Sequence, residues 1–420
     1  MLDVLRRRDF TLVWFAGLIS EIGDWLLLVG LPVYVYMLTN SELIMATVFI
    51  LELVPAVVFG SLAGVLVDRW NRKLTMVVVA AAQGVLLLPL LAVHHIDQMW
   101  VVYLIAPLQS LLAQIFEPAK SAALPTLVPA EKLVTANSLI GLSTNVARLI
   151  GSSLGGLAVV SGSLTTVVMA DSTTYLLSAL AVALARFPAK TGDGSAAEQL
   201  TVLRAWWEGM VLIVGRRDIR NTLLSAAAAS IAQGMFLVLF IIFVDGVLDG
   251  DSTEIGVLRG VQAIGGVIGG FAIAWVGARV SQRGLIAGGA LSIGLLSLLT
   301  WNASYLTHAT TLYVLLFIAI GIPGIANSVG LLAFLQQALP NEYLGRVMAA
   351  FLTVFGGCQA LGMLLAGLIS GYIDTVVVLN IQAGFYILAA VLAYFGLPRV
   401  ARIGAGGTSP DGAKTTTPST

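Results

Sequence analysis

Long apolar runs alternate with short polar stretches along this chain. About twelve runs can be counted, near 11–37, 43–67, 74–93, 99–119, 136–160, 164–185, 221–244, 254–276, 284–301, 310–335, 347–371 and 376–396. Their lengths are of the order of the ~20 residues that a helix needs to cross the hydrocarbon core of a bilayer. In lipid the backbone must satisfy its own hydrogen bonds, so such runs are predicted as helices and not as open strands.

The polar stretches between the runs are not equivalent. Numbered in order, the even connections carry Arg69, Arg72 and Lys73; Lys120 and Lys132; Arg186, Lys190, Arg204, Arg216, Arg217 and Arg220; Arg279 and Arg283; and Arg346. Both ends of the chain are basic too, through Arg6, Arg7, Arg8, Arg399, Arg402 and Lys414. The odd connections (38–42, 94–98, 161–163, 245–253, 302–309 and 372–375) hold no Lys or Arg. Cationic flanks stay on the cytoplasmic side. The predicted topology therefore has an even number of spans and both termini in the cytoplasm. The Arg6–Arg8 cluster ahead of an apolar run is also how a signal peptide begins. That run is too long and contains Glu21 and Asp24, so it is read as a retained first helix.

The longest polar connection, 186–220, divides the runs six and six. The expected organisation is an N-terminal six-helix unit over 1–185, a linker over 186–220, a C-terminal six-helix unit over 221–400 and a disordered tail over 401–420 rich in Gly, Ser, Thr and Pro. The linker begins with a small, polar stretch (189–197). It then places Leu203, Trp206, Trp207, Met210, Val211 and Val214 at helical spacing, as an amphipathic helix on the membrane surface would; an extension of the seventh helix is the alternative. The two halves echo each other. Pro129-Ala-Glu131-Lys-Leu133 precedes the fifth run, and Pro340-Asn-Glu342-Tyr-Leu344 precedes the eleventh. Proline suits a first helical turn, and the carboxylate meets the positive end of the helix dipole. The equivalent place of the two stretches points to duplication. The expected fold is thus an all-α membrane protein with twelve transmembrane helices in two pseudo-symmetric six-helix bundles.

Glycines four apart recur in every third run: Gly60 and Gly64, Gly151 and Gly155, Gly265 and Gly269 (with Gly266 and Gly270), and Gly367 and Gly371. Such spacing lets helix backbones approach closely. Helices 2, 5, 8 and 11 are expected to make close contacts across the seam between the halves, 2 with 11 and 5 with 8. Gly284 and Gly288 in the ninth run show that the pattern is not exclusive.

Composition narrows the class. Apolar residues make up 58% of 420 and charged residues 10%, with a mean hydropathy of +0.95. A soluble domain needs more polar surface than this. The formal net charge is zero, which argues against a nucleic-acid partner. One cysteine, Cys358, rules out an intramolecular disulfide and a cysteine-based metal or redox motif. No metal site and no cofactor is expected. A phosphate-binding loop of the Gly-x-x-x-x-Gly-Lys-Ser/Thr type is absent from the sequence, so nucleotide-driven work by this chain is not expected.

Charges inside the apolar runs carry the candidate chemistry, because each costs about 2.5–3.5 kcal/mol at a helix centre unless paired or functional. Glu21 and Asp24 lie three apart on one face of the first helix. Arg148 is half-way along the fifth, at a depth like that of Asp24, and is expected to pair with it as a proton-coupling unit. Glu52, Asp171 and Arg259 lie in the second, sixth and eighth runs. Glu117 and Lys120 are read as interfacial. Trp25, Tyr34, Gln109, Asn145, Gln233, Phe236, Gln262 and Gln359 are expected to line an amphipathic pocket of the kind that takes drug-sized ligands. Interhelical packing is the competing reading for each of them, and a static ion pair the competing reading for the charges.

One stretch carries a family resemblance. Gly64-Val-Leu-Val-Asp68-Arg69-Trp-Asn71-Arg72-Lys73 resembles the Gly-x-x-x-Asp-Arg-x-Gly-Arg-Arg/Lys signature of the major facilitator superfamily, with Asn71 in place of the usual second Gly. Asn tolerates a left-handed turn. Ser20-Glu-Ile-Gly23-Asp24, Pro118–Pro125 with Ala136-Asn137, and Glu342-Tyr-Leu-Gly345-Arg346-Val-Met348 are similar to the drug/proton antiporter branch, which includes macrolide and siderophore exporters. Ser152 stands where that branch has a Pro in its fifth-helix glycine motif, and the fourth helix lacks the branch's Arg. The resemblance implies a gate in which Gly64, Asp68, Arg69, Arg72 and Lys73 meet the start of helix 11. It implies a monomer that exports an amphipathic small molecule in exchange for protons, with membrane lipids around it. A lysophospholipid flippase of the same fold is the alternative. A non-transporting membrane receptor is the third, and midplane carboxylates argue against it.

Overall fold

The computed structural model describes residues 2–67, 70–160, 164–187, 202–276, 280–339 and 341–398. The polar start of the linker and the 401–420 tail lie outside these residues. Twelve long helices account for nearly all of the rest: α1 Arg8–Thr39, α2 Glu42–Val67, α3 Arg72–Leu86, α4 Met99–Leu127, α5 Leu133–Val160, α6 Leu164–Leu184, α7 Arg217–Ile242, α8 Ser252–Val276, α9 Gln282–Asn302, α10 Thr310–Ala338, α11 Asn341–Ile369 and α12 Thr375–Gly396. Local chemistry ends them where the apolar runs end. Asn40 closes α1 in a left-handed conformation at φ 47°, its N–H bonded to Tyr36. The Asp374 carboxylate opens α12 by accepting from the Val376 and Val377 N–H groups. Asn71 is extended and caps α3 through the Leu74 N–H at 3.0 Å. The Asn in the Gly64–Lys73 stretch is therefore a helix cap and not a left-handed turn residue.

Among the described residues eleven helices are long and apolar enough to cross a membrane by length and composition alone. The twelfth, α5, carries Asn137, Ser143, Asn145, Arg148 and Ser152, and it is packed between α1 and α8. Its polarity is tolerated because neighbouring helices, not lipid, face much of it.

The packing repeats with a shift of six helices. In the first half α1 packs on α5 and α6, α2 on α4, and α3 on α4 and α6. In the second half α7 packs on α11 and α12, α8 on α10, and α9 on α10 and α12. Two major contacts cross between the bundles, α2 with α11 and α5 with α8, and the same shift exchanges them.

The seam is closed at one end only. Near the ends that bear the cation-free connections, a single apolar core joins the bundles and includes Leu31, Met45, Phe240 and Val376. Near the basic ends there are two cores. One, around Phe10, Met76 and Leu124, belongs to the first bundle; the other, around Ile219, Phe334 and Val347, belongs to the second. Glycines along α5 and α8 report the same taper. A Cβ on Gly156 would lie 2.0 Å from the Ser252 carbonyl oxygen, whereas one on Gly141 or Gly270 would meet nothing within 4 Å.

Val202–Gly215 forms a helix of its own, separated from α7 by the extended residue Arg216. It docks on the start of α11. Gly209 faces the Arg346 carbonyl oxygen, Ile213 is fully buried, and Arg346 Nη1 lies 2.6 Å from Glu208 Oε2. The apolar stripe is therefore divided: Met210 packs on the core around Val347, while Trp207, Val211 and Val214 remain exposed.

Candidate functional site

Two polar sites lie within the helical core. The first lies within the N-terminal bundle, in a cavity to which Asp24 is exposed. Asp24 on α1 accepts a hydrogen bond from the Tyr175 hydroxyl on α6, and Gln83 Nε2 on α3 donates to the same hydroxyl at 3.2 Å. Asp171, one turn before Tyr175, is fully buried, and its Oδ2 has no hydrogen-bond partner among the described residues. Gly23 makes room for it, since a Cβ there would lie 2.1 Å from Asp171 Oδ1. Asp24, Glu52, Gln109 and Tyr175 line a cavity of about 180 Å³ whose other walls are largely leucine.

Glu21, one turn earlier on α1, takes a separate partner. Lys120 Nζ on α4 lies 3.1 Å from Glu21 Oε1 and 2.7 Å from Glu117 Oε1. Lys120 is not interfacial: only 8% of it is exposed. Gly17 on α1 leaves space for its stem, with a hypothetical Cβ 3.5 Å from Lys120 Cδ.

The second site is on the seam. A cavity of about 390 Å³ lies between α1 and α5 on one side and α7–α12 on the other. Arg148 on α5 donates from Nη2 across the seam to Gln262 Oε1 on α8. Arg259, one turn from Gln262, reaches the same oxygen at 3.3 Å. Each guanidinium also covers an aromatic ring at 5.1 Å, Arg148 over Trp25 and Arg259 over Phe236, an arrangement in which the ring face attracts the cation. Tyr386 on α12 hydrogen-bonds to Gln233 on α7 at 3.0 Å. Beyond Phe236, towards the closed end, Phe240, Phe317, Trp301 and Phe243 stack with centroid spacings of 5.0–6.4 Å. These buried rings form an aromatic cluster between the cavity and the closed end, and of them Phe236 reaches the cavity.

The expected Asp24–Arg148 pair does not form. Both lie near mid-helix, but Asp24 faces α6 inside the bundle and Arg148 faces α8 across the seam. Of the expected pocket residues, Trp25, Asn145, Gln233, Phe236 and Gln262 line the seam cavity. Gln109 belongs to the carboxylate cavity. Tyr34 lies at the closed end, where its hydroxyl donates to the Val93 carbonyl at 2.8 Å. Gln359 is absent from the cavity wall, and its carbonyl oxygen faces Gly234 of α7.

The glycine pairs divide differently from expectation. Gly151 and Gly155 seat on Ile22 and Leu26 of α1, and Gly265 and Gly269 on Ile318 and Ile322 of α10, each pair within its own bundle. The α5–α8 seam is made instead by Gly156, Gly256 and Gly260, and Gly367 seats on Leu43 and Ala46 of α2. Gly371 meets nothing within 4 Å. On the α5–α8 seam Gly156, Gly256 and Gly260, with Gly266 against Asn145, thus take the place expected of Gly151, Gly155, Gly265 and Gly269, because the side of the helix decides the partner. Of the gate stretch, Asp68 and Arg69 lie outside the described residues, as does Pro340 of the second-half echo. Gly60 and Gly64 fall within α2, and Arg72 and Lys73 begin α3.

Tyr175, Gln83, Lys120 and Tyr386 are site residues that periodicity alone did not single out. Asp171, Tyr175 and Ser178 stand three or four apart on one side of α6, and grouping by helix face would have found them.

Two mirrored bundles around a polar cavity on their shared seam define a membrane transporter. A family model described as transmembrane secretion effector matches residues 2–405. The chain belongs to that family, within the major facilitator superfamily, and its relatives are transporters rather than enzymes. It is 25% identical to the MFS-type transporter YfiS of Bacillus subtilis (strain 168), covering 90% of this chain and 89% of that one. It is 23% identical to macrolide efflux protein A of Streptococcus pyogenes, over 86% of this chain and 88% of that protein. The crystal structure of the nucleoside transporter NupG superposes with a TM-score of 0.79 at 13% identity, over 93% of this chain and all of that one, a likeness of fold.

Proposed function

We propose that this protein is a secondary active transporter that exports an amphipathic small molecule, of drug, macrolide or siderophore type, in exchange for protons. In this reading it works as a monomer in the cell membrane, with the basic ends of its helices and both termini in the cytoplasm. The observation that carries the reading is the seam cavity between two bundles that meet at one end only. Rocking one bundle on the other would close the basic ends and open the opposite ones around a fixed site. The state described here would admit a substrate from the cytoplasm. The name of the streptococcal relative supports outward movement.

Proton coupling is assigned to the carboxylate cavity of the first bundle, with Asp24 as the carrier and Glu52 and Asp171 beside it. Among the described residues none of these three has a Lys or Arg partner, whereas Glu21 is held by Lys120 and serves as a structural tie. Asp24 is bonded to α6 through Tyr175, so protonation of Asp24 would alter the bond that joins α1 to α6. Trp25, next in sequence, faces the substrate cavity, and α1 links the two sites. Asp68 with Arg69, Arg72 and Lys73 would close the basic ends against the start of α11 once the bundles rock.

The test is efflux from inverted membrane vesicles under an imposed pH gradient, against a panel of drugs, macrolides and siderophores. At least one compound should move only when the gradient is present, and Asp24→Asn should stop it. A panel that moves equally without the gradient would sink the coupling. Movement of lysophospholipid alone would replace export by the flippase.

A further inference from the structure

Arg148 and Arg259 come from opposite bundles and converge on one neutral acceptor. Both reach Gln262 Oε1. Arg259 is 8% exposed, and Arg148 Nε is buried without a hydrogen-bond partner among the described residues. Among the described residues that line the cavity there is no Asp or Glu. The carboxylates of the first bundle lie in a different cavity, and neither arginine enters a salt bridge among the described residues.

Each guanidinium carries five N–H donors and no acceptor. Between them the two groups carry ten donors, and among the described residues both are recorded as bonded to the same amide oxygen, that of Gln262. Two like charges brought together in a membrane-spanning core are costly, and an anion between them lowers that cost. Guanidinium forks match the two oxygens of a carboxylate, or those of a phosphate or sulfonate, in a way that point charges do not. The remaining wall is apolar and aromatic, including Trp25, Phe236, Ile293, Ile325 and Phe355, and the volume of about 390 Å³ is drug-sized.

From these features we infer that the transported molecule is an anionic amphiphile, whose acidic group binds between Arg148 and Arg259 in place of the Gln262 amide oxygen and whose apolar body lies against the apolar and aromatic lining of the cavity. The inference rests on the transporter reading given above and narrows it: a cationic amphiphile would meet two positive charges and no acid. It also assigns a role to the seam. The bound anion bridges one arginine from each bundle, so occupancy of the site bears directly on how the bundles sit against each other.

The test uses full-length protein in lipid nanodiscs and three probes on one skeleton: 11-(dansylamino)undecanoic acid, its methyl ester, and the analogue ending in trimethylammonium. The acid should bind about tenfold or more tightly than the ester, the value of one charge-assisted contact, and the trimethylammonium least. Arg148→Gln and Arg259→Gln should each weaken the acid about tenfold more than the ester, so that the preference for the acid is lost. Arg148→Lys and Arg259→Lys should retain part of it, since charge remains and the fork is lost. Equal binding of the three probes by the unaltered protein, preference for the cation, or an acid preference intact in both Gln variants would overturn the inference. Should a Gln variant not fold, the probe series on the unaltered protein and the Lys variants still decide. The same probes in proteoliposomes separate the two readings. Acid that binds but does not move under a pH gradient would overturn export and leave the anion site standing. Gradient-driven movement of the ester or the cation, with the acid refused, would overturn the anion site and leave export standing.

Discussion

The hydroxyl of Tyr175 donates its hydrogen to the carboxylate of Asp24, tying α6 to α1 inside the N-terminal bundle. The two halves of this bond can be removed separately, and the consequences differ. Asp24→Asn keeps an oxygen that accepts from Tyr175, so the fold should persist while proton-coupled movement is lost and ligand binding stays measurable. Tyr175→Phe takes the donor from a carboxylate that is exposed to its cavity and should cost about 0.5–1.5 kcal/mol of stability, the net value of an ordinary hydrogen bond. Efflux in vesicles and thermal unfolding in detergent distinguish the two. PH-dependent transport at the normal rate by Asp24→Asn would remove Asp24 from the coupling mechanism.

Lys120 should matter for stability more than for transport. With 9% of its side chain exposed beside a Glu21 that is 17% exposed, its loss strands a charge in the core. Lys120→Met should destabilise by about 3–5 kcal/mol, the cost of breaking a buried pair by removing one partner. Adding Glu21→Gln should restore most of that loss, because the stranded charge goes with it. Glu117 is 56% exposed, and Glu117→Gln should change stability by less than about 1 kcal/mol. Chemical denaturation or melting temperatures of the three variants read this directly. A double variant no better than Lys120→Met alone would count against Glu21 as the stranded charge.

The closed end of the seam should not tolerate added side chains. Cβ atoms on Gly156 and Gly256 would lie 2.0 Å and 2.4 Å from backbone oxygens of the facing helix. Gly156→Leu should express and insert but fail to hold the bundles together at the cation-free ends, and transport should fall by tenfold or more. The readout is thiol labelling of Ser252→Cys, a buried position whose carbonyl oxygen faces Gly156, in a Cys358→Ser background: labelling should rise when Gly156→Leu is added. Unchanged labelling and unchanged transport would show that this contact is not part of the working cycle.

The α2–α11 contact can be trapped. A Cβ on Gly367 would lie 2.9 Å from the Ala46 Cβ, so Ala46→Cys with Gly367→Cys in the Cys358→Ser background should crosslink under mild oxidation and stop transport until reduced. Crosslinks forming instead between α3 and α9, with none between α2 and α11, would overturn the two-bundle arrangement.

Much of the fold is legible along the chain for a simple reason. Crossing lipid demands a run of fixed length, and each run is readable wherever it stands. The division into six and six, the cation-free connections and the echo of Pro129–Leu133 in Pro340–Leu344 follow from one-dimensional pattern in the same way. Gly367 of helix 11 does meet helix 2, and the chain carries this as glycine on an apolar stretch.

The partner choices are a different matter. Asp24 and Arg148 share a depth because depth follows from residue count, at ~1.5 Å per residue. Rotation about the helix axis does not follow. A helix apolar all round has no sequence-encoded inner face, so nothing along the chain says that Asp24 turns to Tyr175 while Arg148 turns to Gln262. The same gap explains why Gly155 seats on α1 while its neighbour Gly156 carries the seam: a step of one residue turns the helix by about 100°. Lys120, read from its position as interfacial, is buried because α1 and α4 close over it. The sequence by itself determined how many helices there are, where they lie and which ionisable groups they take into the membrane. Only the tertiary structure decided that these groups separate into a carboxylate cavity inside one bundle and an arginine pair between the two, because that separation depends on helix rotation and packing, which no count of residues contains.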